Sequence, residues 1–275
     1  MKRLIACFSG LFIFSAAYCQ DAIHFTVGLL PNINYDNTVV QSIKIELNLD
    51  SSSAEIISKM EANGMKNPTV QEQETRLEAL TKSGPLDIQS GKMPVTTSIL
   101  TSDEKISKLL TPETRFIGTA KLNELPVYDS ITGINLDVSQ KVEMLKLISS
   151  MSQINLPNKF LKPGESDTLH TPIVIPVAGV NMKMDYVTIF FLKSVKGKVA
   201  LFDVRVNFNL NMEVKDLPIE GFGSGDGIME YDLKNQYPTN YKLSYLIKMR
   251  IAKEGLILHM NMKTDLNNTC KIQAA

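Results

Sequence analysis

Two long segments in which apolar and polar side chains alternate constrain this chain more than any other feature. The second runs from Val199 to Val214 and is apolar at every even position, while the first, from Asn181 to Lys193, follows the same pattern less cleanly. Successive side chains of a strand point to opposite faces, so each segment is typical of a strand with one buried face. Gly197 between them supplies the backbone freedom of a tight turn, and the sequence therefore predicts a long central hairpin.

Residues 1–19 have the layout of a secretory signal peptide. Two basic residues precede an apolar run from Leu4 to Ala17, which is too short to span a bilayer. Cleavage after Ala17 and cleavage after Cys19 both remain open. Tyr18 disfavours lipoprotein anchoring at Cys19, because lipoprotein signals require a small residue there. We therefore expect an exported protein, periplasmic or extracellular, with no transmembrane segment in the mature chain.

Composition excludes several classes of protein. A hydrophobic content of 44% is that of a globular chain with a packed core. The whole sequence has 29 basic and 29 acidic side chains, and losing the two basic residues of the signal leaves it nearly neutral. A nearly neutral chain lacks the basic surface of a nucleic-acid binder. With Cys7 and Cys19 in the signal region, Cys270 has no partner for an internal disulfide.

The mature chain is interpreted as one antiparallel β-rich domain, 20–275, with an N-terminal half at 20–155 and a β-meander at 156–265. The N-terminal half predicts strands at 23–29, 38–49, 69–82, 93–100, 115–121 and 125–131. Ser53 to Gly64 is either a short helix or an irregular excursion. Val138 to Met151 predicts a helix, capped by Asp137 with Gln140 three residues later. Its apolar stripe of Val138, Val142, Leu145 and Ile148 is expected to pack against another apolar surface of the protein.

The meander adds further strand patterns around the central hairpin, at 171–177, 228–233, 241–251 and 256–262. Pro172 and Pro176 favour an edge position for the first of these, since proline cannot donate to a ladder. Tyr237 to Asn240 predicts a turn. Gly221 to Gly227 is interpreted as a flexible hairpin linker, because a phosphate-binding loop needs a following helix and a strand pattern follows here.

Several of these strand patterns are about twice the usual five or six residues. Strands of that length twist, and the twist curls the sheet. The predicted fold class is mainly β with minor α, a long curled antiparallel sheet or open half-barrel covered by one or two helices. That architecture is similar to the one found in periplasmic lipoprotein carriers, an analogy at the level of fold.

Four stretches of the second half carry a family resemblance. They begin at Phe160-Leu161-Lys162-Pro163-Gly164, Ile173-Val174-Ile175-Pro176, Leu192-Lys193-Ser194-Val195-Lys196-Gly197 and Gly223-Ser224-Gly225-Asp226-Gly227. Together they resemble successive pieces of an uncharacterised family of exported Gram-negative bacterial β-rich proteins, best over 158–263. The resemblance implies an exported β-rich fold and carries no activity or functional residues across.

No constellation of residues indicates catalysis or metal binding. His24, His170 and His259 lie far apart in sequence, without a metal-ligand spacing. Ser166, Asp167 and His170 are too crowded for a nucleophile, base and orienting group, and the chain has no tryptophan to form a sugar platform. We therefore expect no enzyme, no catalytic residue, no metal and no cofactor.

The predicted apolar strand faces are rich in methionine, a soft side chain suited to adaptable surfaces. Met182, Met184, Met212, Met229, Met249, Met260 and Met262 lie on them. One hypothesis is a site for a lipid or another apolar small molecule on the concave face, lined by Phe190, Phe202, Phe208 and Tyr245. The alternative is a structural or protein-interaction module with a self-filled core and an unidentified partner. An apolar cavity of roughly 300 Å³ between sheet and helix would favour the binder.

Overall fold

The structure is a computed structural model that describes residues 22–51, 58–59, 62–64, 66–103, 110–152, 159–177, 180–214, 217–253 and 256–275. The predicted signal peptide, most of the segment from Ser53 to Gly64 and the turn at Glu254-Gly255 lie outside the described residues. Strands account for 71% of the chain and helix for 6%, which confirms the mainly β fold class.

The described elements follow one another as strands with one helix in the middle of the chain. They are β1 (Ile23–Phe25), β2 (Ile33–Ser51), β3 (Thr69–Ser83), β4 (Lys92–Ser102), β5 (Arg115–Lys121), β6 (Val127–Thr132), α1 (Val138–Ser152), β7 (Lys159–Leu161), β8 (Ser166–Val177), β9 (Val180–Lys196), β10 (Val199–Val214), β11 (Leu217–Asp232), β12 (Tyr237–Lys253) and β13 (Leu256–Ala274).

Eleven of these strands form one antiparallel sheet in the order β6-β5-β4-β3-β2-β13-β12-β11-β10-β9-β8. The sheet does not close on itself, and β6 and β8 are its edges. The central hairpin is confirmed, with Lys196 paired to Val199 across a Gly197 of positive φ. The predicted edge strand with Pro172 and Pro176 is also confirmed, since β8 pairs with β9 alone.

The two faces of the sheet differ sharply. The face that bears Phe202 of β10, Tyr231 of β11 and Cys270 of β13, called the inner face here, contains the buried apolar side chains. The opposite, outer face carries exposed ion pairs such as Lys44 with Glu72. Alternation along the central strands creates this difference, most clearly in β10, where one phase is apolar throughout and the other is mostly polar.

The interpretation of Gly221 to Gly227 as a flexible linker is wrong, because all seven residues lie in the middle of β11. The four glycines occupy alternate, inner-face positions. A Cβ atom added to Gly225 would lie 2.4 Å from the Cβ atom of Tyr245 on β12. The missing side chains let the neighbouring strands close over β11, so that the rings of Phe208 on β10 and Tyr245 lie 5.2 Å apart. The glycines therefore allow β10 and β12 to approach each other on the inner face.

A two-stranded sheet of β1 and β7 covers part of the inner face. Phe25 of β1 is fully buried and stacks on Phe202 at a centroid distance of 4.5 Å, with Tyr231 edge-on at 4.8 Å. The Tyr231 hydroxyl donates a hydrogen bond to the Thr26 carbonyl and ties β1 to the sheet. Leu161 of β7 belongs to the same buried cluster.

Helix α1 packs at the β6 end of the sheet, where Met144, Leu145 and Ile148 contact a cluster around Phe116. The predicted capping box is confirmed, because the backbone N–H of Gln140 donates to Asp137 Oδ1 and the backbone N–H of Asp137 donates to Gln140 Oε1. The predicted apolar stripe is wrong at its start. Val138 is 80% exposed and Val142 is exposed as well, because the helix approaches the sheet only through its second half.

The predicted turn at Tyr237 to Asn240 is also wrong. Tyr237 already begins β12, and the chain turns earlier, at residues 233–236, where Gln236 adopts a positive φ. Pro238 fits within the strand because it lies opposite an irregularity of β11 at Glu230 and Tyr231. Within the described residues, no helix is long and apolar enough to cross a membrane.

Candidate functional site

The four residues predicted to line a ligand site all lie on the inner face. Phe190, Phe202 and Phe208 are buried, and Tyr245 is half-buried. Phe202 and Phe190 both contact the ring of Phe25, with centroids 4.5 and 6.0 Å away. The part of the inner face under β1 and β7, called the covered half here, is thus filled by the protein's own side chains.

Phe208 and Tyr245 lie farther from β1, in a group of aromatic rings. The Phe208 ring contacts Tyr186 at 4.9 Å and Tyr245 at 5.2 Å. Burial raises the pKa of Tyr186, which also exchanges a hydrogen bond with the neighbouring Thr188. Burial raises the pKa of Tyr241 in the same group. These hydroxyls stay protonated at neutral pH and offer uncharged hydrogen-bonding groups on the inner face.

Beyond the aromatic group, the inner face continues along the far ends of β2, β12 and β13. The side chains of this region, called the distal half here, are aliphatic or methionine, half-buried, and outside the three buried clusters of the described residues. They are Ile43, Ile45, Leu47 and Leu49 of β2, Leu258, Met260 and Met262 of β13, and Met249 and Ile251 of β12. The register places them side by side, for example Ile45 beside Met262 and Leu47 beside Met260.

Formal charge is rare on the inner face of the central strands. Across the described inner positions of β2, β10, β11, β12 and β13, Lys253 at the end of β12 is the one charged residue. The other charged residues on these strands take the outer phase, as Lys44, Lys248 and Lys263 do. Away from the end of β12, a ligand on the inner face would therefore meet only apolar groups, hydroxyls and amides.

Two polar side chains on the inner phase of β13 have an oxygen atom without a hydrogen-bond partner. Thr264 Oγ1 lies in a residue only 1% exposed, and Asn268 Oδ1 is also buried. The register places Thr264 beside Tyr245 and Ile43, two positions from Met262, and Asn268 four residues farther on, beside Tyr241 and Val39. A buried oxygen without a partner costs roughly 1–3 kcal/mol, and four other described residues carry one as well, Asn34, Asn123, Gln236 and Asn240.

The outer face has a cleft of about 630 Å³ centred on Ser244 of β12. It is lined in part by Asp226 and Asp265, which lie on either side of Ser244 in the register, and by Lys242. A hydrogen bond from Ser244 lowers the pKa of Asp265, and the nearby Lys263 lowers it further by a smaller amount. The cavity weighed between sheet and helix is not found at that place, since Leu145 and Ile148 of α1 pack directly on the sheet cluster.

The other candidate groups from the sequence stay apart. His170 faces Asp185 at 4.0 Å on the exposed surface of β8 and β9, and Asp167 pairs with Lys159 at 3.3 Å. Within the described part of the chain, no group of three or more acidic, histidine or cysteine side chains could hold a metal ion. Cys270 is a buried free thiol, and its burial raises its pKa to about 12.

Sequence reasoning did not predict that Gly221 to Gly227 lie within a strand, and it did not predict the two unpartnered oxygens of Thr264 and Asn268. A signal existed for both, because glycines 221, 223, 225 and 227 follow the period of a strand. The inner phase of the last strand also continues past Met262 through Thr264, Leu266 and Asn268. The positions of Met182, Met184 and Met212 fall where the structure describes no side chains.

Comparison with known proteins adds little. No family model and no curated protein matches the chain. A solved structure, that of Ail, the attachment invasion locus protein of Yersinia pestis, aligns with 84% of this chain and 97% of its own length. The sequence identity is 7% and the TM-score is 0.15, which is too low to carry an argument about fold or function.

Proposed function

We propose that this is an exported, non-enzymatic protein of the cell envelope that binds an apolar ligand on the distal half of its inner face. The single observation that carries the proposal is the band of half-buried aliphatic and methionine side chains on β2, β12 and β13. The signal-like layout of residues 1–19 and the family resemblance over 158–263 support the compartment.

Magnitudes favour a ligand on this band. Full burial of a leucine, isoleucine or methionine side chain is worth about 1.5–3 kcal/mol, and the side chains of the distal half are already mostly buried, so covering each of them gains about 0.2–1 kcal/mol. An alkyl ligand also removes its own methylenes from water, at about 0.8 kcal/mol each, and the two gains together oppose the cost of association. Methionines at positions 249, 260 and 262 suit such a ligand, because their flexible side chains adapt to its shape.

The alternative function, a structural or interaction module with a self-filled core, is favoured by the covered half. There Phe25, Leu161 and the rings of Phe190 and Phe202 fill the inner face completely. Under this alternative the distal half contributes to the fold or to a protein contact, and it takes up no free apolar molecule.

The test is the uptake of a fluorescent apolar dye by protein exported from a Gram-negative host and purified without detergent. Native mass spectrometry of the same sample reports any lipid that co-purifies. We expect saturable dye binding, displaced by a dodecyl compound and weakened at least fivefold by Met262→Gln, which puts an amide into the distal half.

The matched control is Lys263→Gln, which introduces the same side chain one position later on the outer face. It should leave dye binding unchanged. An absence of saturable binding by any apolar probe, with only the bare polypeptide mass, would overturn the proposal in favour of the self-filled module. Equal losses in the two variants would place the binding elsewhere on the protein.

A further inference from the structure

The side of β3 that faces away from β2 is open over the first half of the strand. β3 pairs with β2 from Thr69 to Lys82, but it pairs with β4 only from Leu77 onward. Within the described residues, positions 70–75, called the open edge here, therefore have a strand neighbour on one side alone, and positions 70–74 are exposed. Unpaired backbone groups at such an edge can accept a further strand. The open edge is not part of the distal half, so what binds there is independent of the proposed function.

Hydrogen bonds at one end of the open edge fix which of its backbone groups are free. Asp103 follows β4, on the side of β3 away from β2. There the backbone N–H of Arg76 donates to Asp103 Oδ2, and the backbone N–H of Asp103 donates to the Arg76 carbonyl. Because the backbone groups of successive residues in a strand point to opposite sides, the even positions 70, 72 and 74 point theirs to the open side as well. Three N–H donors and three carbonyl acceptors are thus available to an added strand.

The two terminal edges of the sheet are protected in other ways. β8 carries Pro172 and Pro176, which cannot donate to an added strand. β6 is six residues long and lies against α1. The open edge has no proline, and the feature that deters strand pairing there is the charge of Glu72 and Glu74. Charge deters only those strands whose own charges do not match it.

The two glutamates therefore select what can pair with the open edge. Both take the outer phase of β3, while the inner phase of positions 71, 73 and 75 is uncharged. An antiparallel pair of two copies centred on Glu72, Gln73 or Glu74 would place glutamate opposite glutamate, and like charges directly opposite are unfavourable. Lysine or arginine at those positions is favourable instead. Lys44 already pairs with Glu72 at 2.7 Å, but both side chains are more than half exposed, so a second cation can share the carboxylate.

We propose that the open edge binds an extended segment of a protein partner that carries basic side chains at alternate positions. The segment adds to β3 antiparallel, as the paired strands of this sheet do, with two of its basic side chains opposite Glu72 and Glu74. Its backbone exchanges hydrogen bonds with the free groups of positions 70, 72 and 74, and Asp103 closes the edge beyond them, at Arg76. The backbone bonds supply the pairing, and the glutamates supply the preference for a basic segment.

The test is the binding of fluorescein-labelled heptapeptides, followed by fluorescence anisotropy at low ionic strength, because salt screens exposed charges. One peptide alternates threonine with lysine, and the other has glutamate in place of lysine. We expect the lysine peptide to bind at least about tenfold more tightly than the glutamate peptide. Methylation of the backbone nitrogens of its lysines should abolish binding, because those N–H groups face β3, whereas methylation of its threonine nitrogens, which face away, should not.

Variants of the protein separate charge from strand pairing. Replacing both glutamates, Glu72→Lys with Glu74→Lys, should reverse the preference, so that the glutamate peptide binds at least about tenfold more tightly than the lysine peptide. Glu74→Pro removes a free N–H and no bond to β2, so it should leave the circular dichroism spectrum unchanged and weaken the lysine peptide at least about fivefold more than Glu74→Ala, which loses the same charge. Glu143→Lys, on the exposed surface of α1, is the control for net charge and should change neither affinity.

Two kinds of result would overturn the proposal. If neither peptide binds, or if the two bind equally, the open edge does not select a basic strand. If the lysine peptide binds but methylation of either set of nitrogens has no effect, or if Glu74→Pro binds it as well as Glu74→Ala does, opposite charges associate without strand addition. Dye binding by the distal half is measured separately on the same samples, so failure of the open edge leaves the proposed function standing.

Discussion

The covered half and the distal half of the inner face are built from continuous strands, yet they differ in what lies over them. In the covered half, β1 and β7 bring Phe25 and Leu161 onto the strands around Phe202 and complete a buried core. In the distal half, the same alternation continues through Met249 to Ile251 and Leu258 to Met262, where the inner side chains remain half-buried. Alternation along a strand therefore specifies which face is apolar, whereas a short, distant segment decides which part of that face becomes core.

The comparison predicts its largest effect at the centre of the covered half. Phe202→Ala should lower the free energy of unfolding by about 3–5 kcal/mol, because the ring is fully buried and stacked on Phe25. Urea denaturation followed by far-ultraviolet circular dichroism measures the change. A loss below about 1 kcal/mol would mean that β1 does not hold the covered half as a core. Asp203→Ala, at the neighbouring outer-face residue that pairs with Lys193, serves as the control and should cost far less.

A somewhat smaller effect is expected at the glycines of β11. Gly225→Ala should destabilise the protein by about 2–3 kcal/mol, because the added Cβ would lie 2.4 Å from both the Ser244 carbonyl oxygen and the Tyr245 Cβ atom. Thermal unfolding of this variant beside Ser224→Ala, on the outer phase of β11, measures it. If both variants melt like the wild type, β10 and β12 do not approach each other closely at the glycines.

Much of this fold could be predicted from the sequence, because alternation is a local signal. The bounds of β5 and β10 were predicted to the residue and those of β3 and β4 to within two residues, whereas β2 begins at Ile33, five residues before the predicted start. Gly221 to Gly227 was misread, since glycine is usual in turns and its value in a strand depends on how closely β12 approaches. The cover by β1 could not be predicted either, because Phe25 and Tyr231 meet across 206 positions of sequence.

The candidate site was predicted only in part, for the same physical reason. Phe190, Phe202, Phe208 and Tyr245 were correctly assigned to one apolar face by their phase in the strands. Their role as a ligand lining stays a prediction. Sequence periodicity cannot distinguish Phe202, which lies under Phe25, from Met262, which lies beyond the cover, because both occupy the same phase of an alternating strand.

Alkaline pH provides a third way to sharpen the comparison, through the buried thiol of Cys270. Burial raises its pKa to about 12, so the folded state favours the protonated thiol while the unfolded state titrates near pH 8.5–9. This contribution to stability is complete below pH 8 and is lost as pH rises from about 9 to 12. Between pH 8 and pH 10 it should cost about 1.4 kcal/mol.

The measurement is the pH dependence of the free energy of unfolding in wild-type protein and in Cys270→Ala. Buried tyrosines such as Tyr241 contribute to the alkaline loss in both proteins, so the difference between the two slopes isolates the thiol. Identical slopes above pH 8 would show that Cys270 is accessible in the folded state. Rapid reaction of the native thiol with a maleimide at pH 7.5 would show the same.

The smallest effect on stability should come from the distal half, and this is the sharpest form of the comparison. Met262→Ala truncates an apolar side chain on the same face of the same sheet as Phe202→Ala, and it should cost less than about 1 kcal/mol. The side chain is half-buried, and its removal leaves no enclosed cavity. If the ligand-free protein instead loses 3 kcal/mol or more, the distal half is packed as tightly as the covered half. The self-filled module would then describe the whole sheet, because a fully packed distal half leaves no apolar surface for a ligand.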